Sequence, residues 1–308
     1  MKHGLNVTLI IISIFILTQI VGLSLINADI KSVEQINDTI VIEHQQTSIG
    51  DRPETEGFGS FIYLVSAVII GTILVLILMR FKKVRLWKLW FFFAVFLSVG
   101  VSLGVIMNNN LALLLGFILA LLKIYKPNIL VHNFTEVLMY SGIAVLLVPI
   151  FDVKWMLILL LVISVYDMYA VWKSKHMVKM AKFQTQSEVF AGIMIPYEKH
   201  GSKVEIKAPI KPASMVSSKK ESKHELKNAI LGGGDVAFPL LFAGVVMESL
   251  IRSGLGQGIA LAQSLIISFF VTISILGLFI FAKKDKFYPA MPFVTIGCLI
   301  GYGIILIL

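Results

Sequence analysis

Apolar runs at 5–27, 58–79, 86–107, 111–126, 134–151, 153–172, 228–251, 258–282 and 289–308 take up most of this chain. A bilayer core of about 30 Å is crossed by about 20 apolar residues in helical form. In lipid, only helices and closed barrels satisfy their own backbone hydrogen bonds. The expected fold is therefore an all-α integral membrane protein with nine transmembrane helices. Composition agrees: 57% of residues are hydrophobic and 15% charged, against about 25% charged in a soluble domain. The first run follows directly on Met1-Lys2-His3 and is longer than a signal-peptide core. It is expected to remain as an uncleaved anchor. The fourth and fifth runs are short or separated only by KPNILVHN.

The net charge of +9 would suggest nucleic acid in a soluble protein. Here it marks one side of a membrane. With a cytoplasmic N-terminus, the inner side holds Lys2, five cations between 80 and 88, Lys123 and Lys126. Twelve lysines between 173 and 227 and three at 283–286 join them, making 23 of the 27 cations. Lys31, Arg52, Lys154 and Arg252 stay outside. The expected orientation is N-terminus cytoplasmic and C-terminus outside, in a multi-pass protein of the cell membrane. The outer loop 28–57 carries seven acids and a glycan acceptor pattern at Asn37-Asp38-Thr39, on the matching side.

Three regions follow. Residues 1–172 hold spans one to six, 173–227 form a polar cytoplasmic loop, and 228–308 hold spans seven to nine. Within the loop, EVFAGIMIP at 188–196 and KVEIKAPI at 203–210 read as short strands, and 213–227 reads as flexible. A solvated linker that attracts anionic lipid is the plain alternative for this stretch. Cys298 is the only cysteine, which excludes an intramolecular disulfide and reads as a packed core residue.

Charge is sparse within the spans. Glu136, Asp152, Lys154 and Glu248 fall near span ends, where water is expected to reach them. Asp167, in VYDMYAVW, and Asp235, in ILGGGDVAFP, are embedded. An ionisable group inside a membrane is costly and is a functional candidate by default. Asp167 lies six residues before Lys173, roughly 9 Å by helical rise, and Asp235 eight residues after Lys227, roughly 12 Å. Two antiparallel spans thus place a carboxyl at one level, which favours a facing pair over two separate buried acids. Span nine opens on the same side with YPAMPF, where Pro289 and Pro292 remove two donors and suggest an extended entry. Gly232, Gly233 and Gly234 loosen the start of span seven. Pro239 cannot donate to the carbonyl of Asp235. Together these read as room for a substrate chain beside the carboxyls.

Two carboxyls at hydrogen-bonding distance share a proton rather than both ionising. One takes a proton from water while the other donates to a peptide carbonyl, so neither a metal nor a cofactor is needed. A helical substrate must first unwind, and its freed backbone groups need partners. Strand addition to Ala229-Ile230-Leu231, or to the piece around Ile193-Met194-Ile195, would supply them. His176, His200 and His224 lie in the polar loop, so no histidine is expected within the spans for a serine-protease or metal site.

At these residues the sequence resembles the presenilin and signal peptide peptidase family of GxGD intramembrane aspartyl proteases. The resemblance rests on Tyr166-Asp167, on Gly232-Gly233-Gly234-Asp235, and on Pro289-Ala290-Met291 where the family has Pro-Ala-Leu. It spans nearly the whole chain in layout. It implies Asp167 and Asp235 as catalytic residues of an endopeptidase acting within transmembrane segments. It also implies Tyr166, Gly232, Gly233, Gly234, Pro289, Ala290 and Met291 as the substrate-binding wall. Met291 departs from the family's leucine and bears on substrate preference. The N-in orientation is similar to presenilin, and the length to a compact prokaryotic, archaeal-type homologue. The implied partners are the transmembrane helices of its substrates and the bilayer. No nucleic acid and no obligatory subunits are expected, and a homo-oligomer is left open.

Three other readings compete. A proton- or cation-coupled transporter also uses paired intramembrane acids and broken helices, but would show an internal repeat. A prepilin-type GxGD peptidase would lack the Pro-Ala-Met element and the nine-span layout. A membrane scaffold would bury the acids without turnover.

Overall fold

In the computed structural model, residues 4–36, 39–81, 83–174, 177, 179–180, 183–184, 187, 189–198, 226–282 and 288–308 are described. The sequon residues Asn37 and Asp38, the KKDK run, the loop histidines and the strand-like piece at 203–210 lie outside them. So does most of 213–227, the stretch read as flexible. The described helices are α1 (Leu5–Asp29), α2 (Phe58–Arg80), α3 (Val84–Gly104), α4 (Asn109–Tyr125), α5 (Ile129–Leu147), α6 (Val153–Met168), α7 (Gly233–Arg252), α8 (Gln257–Phe281) and α9 (Met291–Ile305). Two hairpins of strands accompany them: β1 (Ile30–Ile36) with β2 (Thr39–His44), and β3 (Gly192–Glu198) with β4 (Leu226–Gly232). Seven helical segments are long and apolar enough to cross a membrane, and α4 and α9 are shorter apolar helices. The chain is a multi-pass, all-α membrane protein.

Side-chain caps set several helix starts. Asn108 and Asn128 accept the N–H groups of Asn110 and Leu130, and Asp152 accepts that of Trp155. Each satisfies a donor that the first helical turn leaves free. The Asn128 cap starts the fifth helix at Ile129, five residues earlier than hydrophobicity places it. That extension brings His132 and Asn133 into the helix, both buried. A histidine does therefore sit within a spanning helix, against the expectation from sequence.

The interior of the bundle is more polar than its rim. Helix α2 is 11% buried across its apolar window, whereas the α5 segment is 78% buried. Helix α5 carries His132, Asn133, Thr135, Glu136 and Ser141, all buried. Lipid solvates an apolar helix without help, so polar side chains gather where other helices can satisfy them. Three charges assigned to water by sequence are buried instead. Glu136 is fully buried, Glu248 nearly so, and Lys123 pairs with Glu136 between α4 and α5.

At the other end, β1 and β2 close over the C-terminal ends of α1 and α7. His44 contacts Asp29 at 2.9 Å and Glu248 at 3.5 Å, while Arg52 reaches Asp29 at 2.5 Å. Burial works against the charged imidazole, but the hydrogen bond to Asp29 and the neighbouring Glu248 carboxylate outweigh it. The His44 pKa is pushed up to about 9.

Candidate active site

The seventh apolar run does not begin as a helix. Residues Leu226–Gly232 form strand β4, and the helix starts at Gly233. Strand β4 runs antiparallel to β3, with Ile193 opposite Leu231, Met194 opposite Ile230 and Ile195 opposite Ala229. The two segments that sequence offers separately as strands thus pair with each other. A strand rises about 3.3 Å per residue, so Asp235 lies about 20 Å from Lys227 rather than about 12 Å.

The outer edge of β3 is held by α5 side chains acting as a surrogate strand. Asn133 donates to the carbonyl of Met194 at 2.9 Å and accepts its N–H at 3.1 Å. Glu136 accepts the N–H of Gly192 at 2.9 Å, and His132 bonds its carbonyl at 2.8 Å. Glu136 is itself bound by Lys123 and by the Tyr140 hydroxyl. Every one of these groups is buried, so each bond replaces one that lipid could not offer.

Gly232 ends β4 and is also the N-cap of α7, which puts Asp235 at the third helical position. An acid there reaches back toward the N-cap backbone, as in half of a capping box. A Cβ on Gly232 would stand 3.0 Å from Asp235 Oδ2, and one on Gly233 would stand 2.5 Å from the Tyr140 hydroxyl oxygen. Gly233 is thus required by the protein's own packing, and a side chain at Gly232 would press on the Asp235 carboxyl. Gly234 is different: it is exposed, and a Cβ there would find nothing nearer than the Phe238 ring at 3.5 Å.

Asp167 is 4% exposed near the end of α6, before the π-helical turn Tyr169–Lys173. Its Oδ2 accepts the N–H of Met291 at 3.1 Å. One turn back, Ser164 and Thr295 share a hydroxyl hydrogen bond of 2.6 Å, fixing α6 against α9. Pro289 and Ala290 precede the helix, and both are buried. Ala290 has right-handed backbone angles, φ −90° and ψ −27°, so the extended entry expected from the two prolines does not include it. Asp235 is half-buried and close enough to Asp167 for their charges to interact. Tyr166 is half-buried beside Asp167.

The structure therefore gathers Asp167, Asp235, Gly232 to Gly234 and the Pro289–Met291 segment into one region. Sequence reasoning missed Lys123, His132, Asn133, Glu136 and Tyr140, which hold β3 and Gly233. For the four on α5 the signal was the polar periodicity of 129–140, with His132, Asn133, Glu136 and Tyr140 on one helical stripe. Among the described residues, no three His, Cys, Asp or Glu side chains converge as a metal would require.

Two solved structures, both described as a presenilin family intramembrane aspartate protease, share this fold. They were obtained in C222 and P2 space groups and align with TM-scores of 0.59 and 0.60. Each is 15% identical to this chain and covers 96% of it, over 95% and 96% of its own length. At that identity the likeness concerns the fold. No curated protein sequence matches the chain. A family model described as signal-peptide peptidase, presenilin aspartyl protease matches residues 12–308. With nearly its whole length matched, the chain belongs to the signal-peptide peptidase and presenilin family of intramembrane aspartyl proteases.

Proposed function

We propose that this protein is an endopeptidase that hydrolyses peptide bonds within the transmembrane segments of other membrane proteins, with Asp167 and Asp235 as its catalytic pair. The observation that carries this reading is the mutual packing of α6, α7 and α9, which brings Asp167 and the first turn of α7 close enough for the two charges to interact, with the start of α9 bonded to Asp167. With one proton between them, one carboxylate removes a proton from an attacking water. The other carboxylic acid donates to the substrate carbonyl oxygen as the tetrahedral diol forms. The proton then returns to the departing nitrogen. In such a dyad the shared proton belongs to the pair rather than to either aspartate. The Met291 N–H fixes the rotamer of Asp167, and the contact back to Gly232 fixes that of Asp235.

A place for the unwound substrate lies beside the pair. Gly192 and Met194 turn their backbone groups toward α5, so Ile193 and Ile195 face β4. The backbone of Ile230 then points to the opposite edge of β4, where no partner strand occurs among the described residues. A substrate segment added along that edge would run toward Gly234, the one glycine of the three whose lack of a side chain the enzyme's own packing does not demand. Tyr166, Pro289, Ala290 and Met291 form the opposing wall of this reading. The lysine distribution supports a cytoplasmic N-terminus.

The test is cleavage of a single-span reporter by the purified protein in liposomes, compared with Asp167→Asn and Asp235→Asn. Wild type should cut within the span, and both folded variants should be inactive. Equal cleavage by both variants would remove the aspartates from the chemistry.

A further inference from the structure

Helices α1 and α7 run parallel and are matched step by step. Gln19 meets Val236, Gly22 faces the Leu240 side chain, and Ile26 lies where a Cβ on Gly244 would stand 2.8 Å from its Cδ1. Beyond these, Asp29 and Glu248 share His44. Of these contacts, only Gln19 reaches the turn that carries Asp235.

Gln19 is fully buried in a helix whose other contacts here are apolar. An amide in that setting is costly unless both its ends are used. Its Nε2 donates to the backbone carbonyl of Val236 at 3.0 Å. A carbonyl can only accept, so this contact fixes the amide's orientation and leaves Oε1 facing α8. There Ser268 donates to it at 3.5 Å. One side chain thus joins α1, α7 and α8 at the residue following Asp235.

That turn has little of its own to hold it. Three glycines lead into it, which raises the entropy lost on ordering. Pro239 has no N–H for the carbonyl of Asp235, so the first turn is missing a rung of its ladder. Rotation of this turn about the helix axis swings the Asp235 carboxyl relative to Asp167. We propose that Gln19 is a positioning residue that sets this rotation, holding the Asp235 turn from outside the helix. The proposal rests on the aspartyl-protease reading and deepens it.

The full-length protein in liposomes, with Gln19→Leu of similar volume, provides the test. Amide hydrogen exchange over 233–240 is measured beside kcat and KM on the single-span reporter. Thr18→Val serves as control, because Thr18 is equally buried but donates within its own helix, to Ile14. Gln19→Leu should lose exchange protection in 233–240 alone and lose about tenfold to a hundredfold in kcat at unchanged KM, as a small displacement of a reacting group does. Ser268→Ala should move both readouts the same way by less, and Thr18→Val should move neither. Wild-type protection and kcat in Gln19→Leu would overturn the proposal. Lost kcat with intact protection would overturn it too, since the turn would then not be what Gln19 holds. If Asp167→Asn and Asp235→Asn both cut normally, the protease reading fails, and the exchange data still decide whether Gln19 fixes the turn.

Discussion

Replacing Lys123 by methionine should show how much of the site depends on a buried charge pair. Lys123 and Glu136 have side chains 2% and 0% exposed, and the same carboxylate binds the Tyr140 hydroxyl and the Gly192 N–H. Lys123→Met removes the ammonium that pairs with Glu136 and sits 5.4 Å over the Phe91 ring, and leaves the buried Glu136 carboxyl without its partner. Removing one partner of a buried pair costs about 3–5 kcal/mol. At about 2 °C per kcal/mol for a chain of this size, thermal unfolding should fall by roughly 6–10 °C. The double variant Lys123→Met/Glu136→Gln removes both charges and keeps an acceptor for Gly192 and Tyr140. It should recover most of that loss, giving a coupling of at least about 2–3 kcal/mol in a double-mutant cycle. Unfolding midpoints in one detergent, read for wild type, both singles and the double, decide the matter. If Lys123→Met melts with wild type, or the double equals the sum of the singles, the pair is not what anchors β3.

Two further outcomes follow from the same geometry. Gly234→Ala should fold and melt like wild type yet cleave the reporter poorly, because its methyl meets no protein atom nearer than 3.5 Å. Gly233→Ala should be impaired in both, since its methyl meets the Tyr140 hydroxyl. For His44, the folded pKa of about 9 exceeds the ordinary 6.5, so its contribution is complete below about 6.5 and is lost as pH rises through 9. That difference corresponds to about 3 kcal/mol. Melting curves between pH 6.5 and 9.5 should decline in wild type and flatten in His44→Gln.

The helices and the two acids were legible because lipid imposes a simple rule on sequence: long apolar runs, with any embedded charge standing out. The level of Asp235 was not, because Ala229-Ile230-Leu231 is as apolar in a strand as in a helix, and only the rise per residue differs. Lys123 and Glu136 misled for a related reason. Each lies near a run's edge, and hydrophobicity cannot tell a charge that reaches water from one that reaches another charge. His132 and Asn133 look like loop residues until β3 is present to use them. Gln19 stood in plain view in the first span, but its two partners are 217 and 249 residues away.

Strand β4 passes into α7 at Gly232 without a connecting loop. Pairing register and carboxyl placement are consequently one variable. A single residue added between Ala229 and Leu231 either turns the strand's faces over or winds the following helix through about 100°. Single-residue insertions within 226–235 should therefore displace the Asp235 carboxyl wherever they fall, and a library of insertions across that range, read for reporter cleavage, would show it.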